Sequence, residues 1–263
     1  MMRPVVLTIA GSDNSCGAGA QADLKTITAL GGYAQTAITC VVAEVPGRVS
    51  AIQAIQPGIV AEQVRLSMQA FPVAAIKTGM LFSAPIIRAV AAELCKTGKR
   101  PLLVVDPVMV ASSGDPLLKK SAITAYEDLL FPLAALVTPN LDELRILSGM
   151  PCRDLDEMKA AGRSLVRKFG VPFLLKGGHL KSRTAVDIIA GENGFEEFHA
   201  DFIRGADPHG TGCTFSAAIA TGLAHGLTLT ESVAQAKAYI TAAIADRLRW
   251  KKTTALNHSV GGA

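Results

Sequence analysis

Short, mainly apolar runs recur along the chain. Each ends in glycine or polar residues and gives way to a segment of helical periodicity. Val5–Ala10, Thr36–Val42, Ala74–Thr78, Leu102–Asp106, Leu136–Thr138 and Pro172–Lys176 are too short for helices, and all but the last contain β-branched residues, so they predict strands. Ala20–Leu30, a segment from Pro57-Gly58 through Ala70, Ala84–Thr97 closed by Gly98, Lys119–Leu130, Leu141–Ser148 and Leu155–Phe169 predict the intervening helices. A strand that is apolar on both sides must be covered on both faces. The pattern therefore predicts an α/β fold with a mostly parallel central sheet between helix layers. Val49–Ile55 adds a strand. Val186–Ile189 and Glu196–Ala200 predict an antiparallel pair joined around Gly191–Gly194. Thr211–His225 and Leu229–Arg247 predict two closing helices. No linker, repeat or shift in composition divides the 263 residues, so a single domain over 1–263 is expected, with Thr253–Ala263 a mobile polar tail.

Composition narrows the function classes. Apolar residues make up 49% and charged residues 18%, which excludes a disordered chain. Lys and Arg exceed Asp and Glu by 26 − 22, or +4, and the basic residues are scattered. The densest group, Arg247, Arg249, Lys251 and Lys252, reads as the solvated end of a last helix, so nucleic acid is not an expected partner. Five cysteines form no CxxC pair and no Cys/His metal spacing, which suggests free thiols in a reducing compartment. No apolar run approaches 18 residues, and the first ten residues lack the apolar stretch and cleavage site of a signal peptide. A cytoplasmic protein without membrane partners is the expectation.

Ligands of such sheets lie beyond the carboxyl ends of the strands. Those ends carry Gly11-Ser12-Asp13, Val42-Ala43-Glu44, Lys77-Thr78-Gly79-Met80, Asp106-Pro107-Val108-Met109, Pro139-Asn140 and Lys176-Gly177-Gly178-His179. His209-Gly210-Thr211-Gly212-Cys213-Thr214 precedes a helix of small residues. Glycines there let backbone N–H groups converge on an anion, and the helix dipole favours negative charge. Cys213 falls in the first turn, where its thiol pKa should drop. One reading is an anion hole for a transferring phosphoryl group, with Cys213 beside the attacking hydroxyl. The other is a glycine-rich turn holding a small cysteine. Gly17–Ala22 matches G-x-G-x-x-A, but the loop before it is too long for a dinucleotide fingerprint and no clear ribose acid follows. Asp106, Asn140 and Glu143 suit Mg²⁺, although Asn140 and Glu143 also read as a helix-capping pair. Lys176, at a strand end before two glycines, can reach a phosphate or simply be solvated.

Taken together, Leu7–Asp23 (LTIAGSDNSCGAGAQAD), Lys77–Leu81 (KTGML), Asp106–Gly114 (DPVMVASSG), Thr138–Glu143 (TPNLDE), Lys176–Leu180 (KGGHL) and His209–Thr214 (HGTGCT) resemble the hydroxymethylpyrimidine/phosphomethylpyrimidine kinases of thiamin biosynthesis, within the ribokinase-like superfamily. The resemblance runs from about residue 4 to 245. It implies a three-layer sandwich without a separate lid domain and a homodimer. It also implies ATP and Mg²⁺ as cofactors, and a small pyrimidine phosphorylated first on its 5-hydroxymethyl group and then on the resulting monophosphate. It assigns Gly11, Asp23, Val42, Glu44, Met80 and Val108 to the ring pocket. Lys176, Thr211 and Gly212 go to the phosphates, Gly210–Cys213 to the anion hole, and Asp106, Asn140 and Glu143 to the metal network. Cys213 stands where most ribokinase-like enzymes place an aspartate base, and Lys176 is the second catalytic candidate.

Two positions depart from that pattern. Glu44 stands where the family usually has glutamine, and a carboxylate only accepts hydrogen bonds unless protonated. Cys16 replaces a usual glycine. A pyridoxal or pyridoxine kinase of the same superfamily is the alternative reading. A dinucleotide-dependent oxidoreductase, resting on Gly17–Ala22 alone, and a noncatalytic binder are more distant ones.

Overall fold

The computed structural model describes residues 2–96, 100–109, 120–178, 184–203 and 209–260. Its elements follow the expected alternation: β1 (Val5–Asp13), α1 (Gly19–Ala29), β2 (Tyr33–Val45), β3 (Arg48–Ala54), α2 (Pro57–Ala70), β4 (Val73–Thr78), α3 (Ala84–Cys95) and β5 (Leu102–Val105). Then come α4 (Lys120–Ala125), β6 (Leu136–Val137), α5 (Leu141–Ser148), α6 (Leu155–Phe169), β7 (Phe173–Lys176), β8 (Thr184–Gly191), β9 (Gly194–Asp201), α7 (Thr211–Ala224), α8 (Leu229–Ala245), β10 (Leu248–Trp250) and β11 (Thr253–Ala255).

Nine strands form one sheet in the order β3-β2-β1-β4-β5-β6-β7-β8-β9. The six from β2 to β7 are parallel, and β3, β8 and β9 run antiparallel to their neighbours. Successive strand residues point to opposite faces, and both faces are filled. Leu7 and Ile9 of β1 enter a cluster with α2, α3, α5 and α6, while Val6 enters a second cluster with α7 and α8. All three side chains are fully buried. This two-sided burial is why the parallel strands read as unbroken apolar runs. The three-layer mostly parallel sandwich is therefore present as expected.

The chain leaves β1 for β2 on one side and returns to β4 on the other. That reversal is a topological switch point, and it opens a crevice at the carboxyl ends of β1 and β4. Tyr126 follows α4 in a single π-type turn (Tyr126–Leu130) and donates its hydroxyl to the Gly79 carbonyl at 3.0 Å, fixing the crevice wall. Among the described residues, no helix is long and apolar enough to cross a membrane.

Three expectations need correction. β1 runs on through Gly11 to Asp13, past a register shift between Ala10 and Ser12, where a loop was expected from Gly11. The segment expected as a mobile tail is built into the fold as far as residue 260: β11 pairs with β10, and Leu256 and His258 are buried. The reason is apolar: Leu256 and Val260 pack into the cluster with α7 and α8. Arg249, Lys251 and Lys252 accordingly lie on this hairpin, beyond the last helix. The ends expected at Thr97, Gly98 and Lys119 fall outside the described residues, as do parts of the Asp106–Gly114 and Lys176–Leu180 motifs.

Candidate active site

The cleft is assembled from strand ends and one helix start. On the β1 side, Asp13 organises the following loop. Its Oδ1 accepts the Ser15 N–H at 2.7 Å, and its Oδ2 accepts the Ser15 hydroxyl at 3.0 Å and the N–H groups of Gly17 and Ala18 at 3.2 and 2.8 Å. His209 Nε2 meets the same Oδ2 at 3.0 Å, joining this loop to the start of α7. Burial opposes ionisation of Asp13, but these hydrogen bonds, led by His209, hold its pKa down to about 2. Gly210, with φ +91°, caps α7 without any side-chain hydrogen bond. A Cβ there would collide with the Gly17 carbonyl, so only glycine permits the two loops to interlock.

Gly212 occupies the first turn of α7. A Cβ added there would lie 3.2 Å from Lys176 Nζ and 3.8 Å from Asp106 Oδ2. Lys176, at the end of β7, donates to Asp106 Oδ1 at 3.0 Å, and Ser216 on α7 donates to Asp106 Oδ2 at 3.2 Å. Burial disfavours the Lys176 charge, yet Asp106 and Glu143 nearby raise its pKa. Thus a helix start without a side-chain cap, one ammonium and one carboxylate converge at Gly212, where there is no side chain. That is what a phosphoryl group and a hydrated divalent cation require.

Asn140 and Glu143 form the capping box of α5. Asn140 Oδ1 accepts the N–H groups of Asp142 and Glu143 at 2.9 and 3.0 Å, and Glu143 Oε2 accepts the Asn140 N–H at 2.9 Å. Glu143 Oε1 also accepts the Met109 N–H at 2.9 Å. The capping reading therefore holds. Asp106 and Glu143 both favour the Lys176 charge, and burial first, with Asp106 adding, lifts Glu143 to about 7. Two carboxylates around one ammonium have the chemistry that a divalent cation would use.

The ring-pocket candidates divide. Gly11 and Val42 are buried at the ends of β1 and β2, and Met80 and Val108 are half-buried at those of β4 and β5. Val108 holds φ +44°, which is strained for a β-branched residue and is the sort of conformation that binding sites retain. Glu44 is half-buried, and ligand-capable atoms of Glu44, Asp13 and His209 all lie within 4.8 Å of one another. Burial and then Asp13 raise its pKa, with His209 opposing. The trio has metal-ligand chemistry, but Asp13 Oδ2 is already saturated by the donors named above.

Asp23 forms a buried ion pair. Its carboxylate is fully enclosed: Lys77 Nζ lies 2.9 and 2.8 Å from its two oxygens, and Thr8 donates to one of them at 2.5 Å. Lys77 was legible only as part of KTGML and had no assigned role. The expected drop in the Cys213 pKa needs correction. Its thiol is pushed up to about 11, not down, because burial outweighs the Lys77 charge and the Gly19 N–H, and Asp23 and Asp106 add to the rise.

Comparison with known proteins adds the following. A family model described as phosphomethylpyrimidine kinase matches residues 13–258. The thiamine biosynthesis bifunctional protein of Geobacter sulfurreducens is 47% identical over 92% of this chain, which spans only 49% of that protein. The hydroxymethylpyrimidine/phosphomethylpyrimidine kinase of Rhizobium meliloti is 44% identical, covering 94% of this chain and 93% of its own. Among solved structures, an ADP complex of Bacillus subtilis pyridoxal kinase superposes with a TM-score of 0.90 at 34% identity, over 98% of both chains. The phosphomethylpyrimidine kinase of Clostridium difficile superposes with a TM-score of 0.81 at 39% identity, over 92% of this chain and all of that one.

Proposed function

Because the chain belongs to the phosphomethylpyrimidine kinase family, we propose that it transfers phosphoryl groups from ATP, first to 4-amino-5-hydroxymethyl-2-methylpyrimidine and then to the resulting monophosphate. The carrying observation is Gly212, whose missing side chain leaves a space bounded by Lys176 Nζ, Asp106 Oδ2 and the amides at the start of α7. ATP with Mg²⁺ supplies the phosphoryl group and neutralises its charge.

The protein's contribution is positioning and electrostatics, as phosphoryl transfer demands. The amides and positive end of α7 at Gly210–Cys213 hold the phosphoryl oxygens, and Lys176 offsets their charge. Asp106, Asn140 and Glu143 hold the cation. Gly11, Val42, Met80 and Val108 enclose the flat ring, and Glu44 reads its edge. Cys213 faces the reacting hydroxyl. Cys213 can take the hydroxyl proton only from its thiolate form, a minor fraction that the Lys77 charge favours, and the proton then resides on the Cys213 sulfur. Exposed Val41, Val45 and Val49 on the outer pair β2–β3 support a homodimer. Five free cysteines support a reducing, cytoplasmic setting.

A pyridoxal kinase is the second reading, favoured by the superposition with pyridoxal kinases. Mass spectrometry of products from ATP-Mg²⁺ and each of the three acceptors, offered separately, decides. One added phosphate on both the alcohol and its monophosphate supports the proposal. Transfer to pyridoxal alone moves the function to the second reading.

A further inference from the structure

The first turn of α7 is weakly held from within. Its N-cap is Gly210, no side chain caps it, and Gly212 follows in the same turn. Glycines let this turn approach an anion closely, but they also make it loose. Neighbouring structure must hold it. On the cleft side the Gly17 backbone does so.

On the far side lies the segment after β11. The Tyr239 hydroxyl donates to the His258 carbonyl at 2.7 Å, and the Asn257 side-chain amide donates to Asp246 at 2.8 Å. His258 Nε2 lies 3.0 Å from Thr214 Oγ1. Thr214 is fully buried, follows Cys213 directly, and donates its own N–H to the Gly210 carbonyl at 2.9 Å. Burial keeps the His258 ring neutral, its pKa pushed down to about 4, and the Leu256 carbonyl hydrogen-bonds the ring. With one ring N–H given to Leu256, the other nitrogen accepts from the Thr214 hydroxyl.

We propose that His258 is a positioning residue for phosphoryl transfer: through Thr214 it fixes the first turn of α7, and so the amides that receive the phosphoryl group. The proposal rests on the anion-hole reading given above. It makes the C-terminal segment a working part of the site, acting from behind the helix and without touching the reactants.

The test is steady-state kinetics, varying ATP and pyrimidine separately, with thermal unfolding measured alongside. His258→Ala and Thr214→Val should each lower kcat by about tenfold and raise KM for ATP several-fold, because small misplacements of a positioned group are costly. KM for the pyrimidine should stay within about twofold, and the double variant should be no worse than either single one, since both break one interaction. His258→Gln, whose amide oxygen can still accept from Thr214, should recover most of kcat. Asn257→Ala loosens the same segment without touching Thr214 and should keep wild-type kinetics. If His258→Ala does not fold, Thr214→Val carries the test, because it removes only the hydroxyl. A lowered unfolding temperature with unchanged kcat and KM overturns the proposal, as does Asn257→Ala doing equal kinetic damage. Gly212→Ala separates the two levels. If it is inactive while His258→Ala is normal, only the role of His258 falls. If it is fully active, the anion-hole reading falls as well.

Discussion

Lys176 Nζ lies 3.0 Å from Asp106 Oδ1, so one ion pair joins the carboxyl ends of β7 and β5 across the two-residue strand β6. The pair sits beside Gly212, which places one fixed positive charge where phosphoryl oxygens would lie. Lys176→Gln should therefore lower kcat by about 10²–10³, the usual cost of losing one preorganised donor, with little change in KM for the acceptor. Steady-state kinetics check this, and retention of most of kcat would contradict it.

Cys213 carries its proton at neutral pH in the ligand-free protein, since burial pushes the thiol up to about 11. The thiolate fraction at pH 7 is then about one in ten thousand, rising about tenfold per pH unit. Alkylation of Cys213, followed at peptide level by mass spectrometry, should climb in that way from pH 7 to 10. A plateau below pH 8 would show a depressed pKa instead. Cys213→Ala should also slow the first transfer more than the second, because the second nucleophile is already an anion. Equal losses in both would remove Cys213 from proton transfer.

Glu44 titrates above the usual carboxylate range, because burial and the neighbouring Asp13 disfavour its charge. Below that raised pKa the protonated group can donate to the ring, and above it the carboxylate only accepts. Glu44→Gln removes this titration, so the acid limb of kcat/KM for the pyrimidine should lose its Glu44 component. Superimposable pH profiles for the two proteins would place Glu44 outside ring recognition.

Lys77 and Asp23 are both fully buried and paired at 2.8 Å. Lys77→Met should destabilise the protein by about 3–5 kcal/mol in denaturant unfolding, because Asp23 is left buried and uncompensated. Replacing both, as Lys77→Met with Asp23→Leu, should recover most of that loss. A single-variant cost near zero would mean that the pair is not closed in solution.

The sheet was legible because buried parallel strands have no polar face to interrupt them: Val5–Ala10 and Phe173–Lys176 announce themselves as apolar runs. The close backbone approach at the start of α7 was legible for a related reason, since Gly210 and Gly212 mark it. What the sequence hid depends on distant partners. The pairing of Asp23 with Lys77, 54 positions on, has no local signal. Cys213 looks activated by its helix start until its burial is seen, with Asp23 and Asp106 adding to the rise. His258 lies in a short polar stretch that reads as a tail, and only the burial of Leu256 beside it explains why the stretch docks.

The central claim is that one glycine-built helix start serves both transfers. Measuring both rates in Gly212→Ala tests it most directly, with folding confirmed by circular dichroism. A Cβ 3.2 Å from Lys176 Nζ intrudes on the phosphoryl space whichever acceptor is bound. The account predicts that the alcohol and the monophosphate lose phosphorylation in similar proportion, by about 10² or more. Loss of one transfer with the other intact would contradict it.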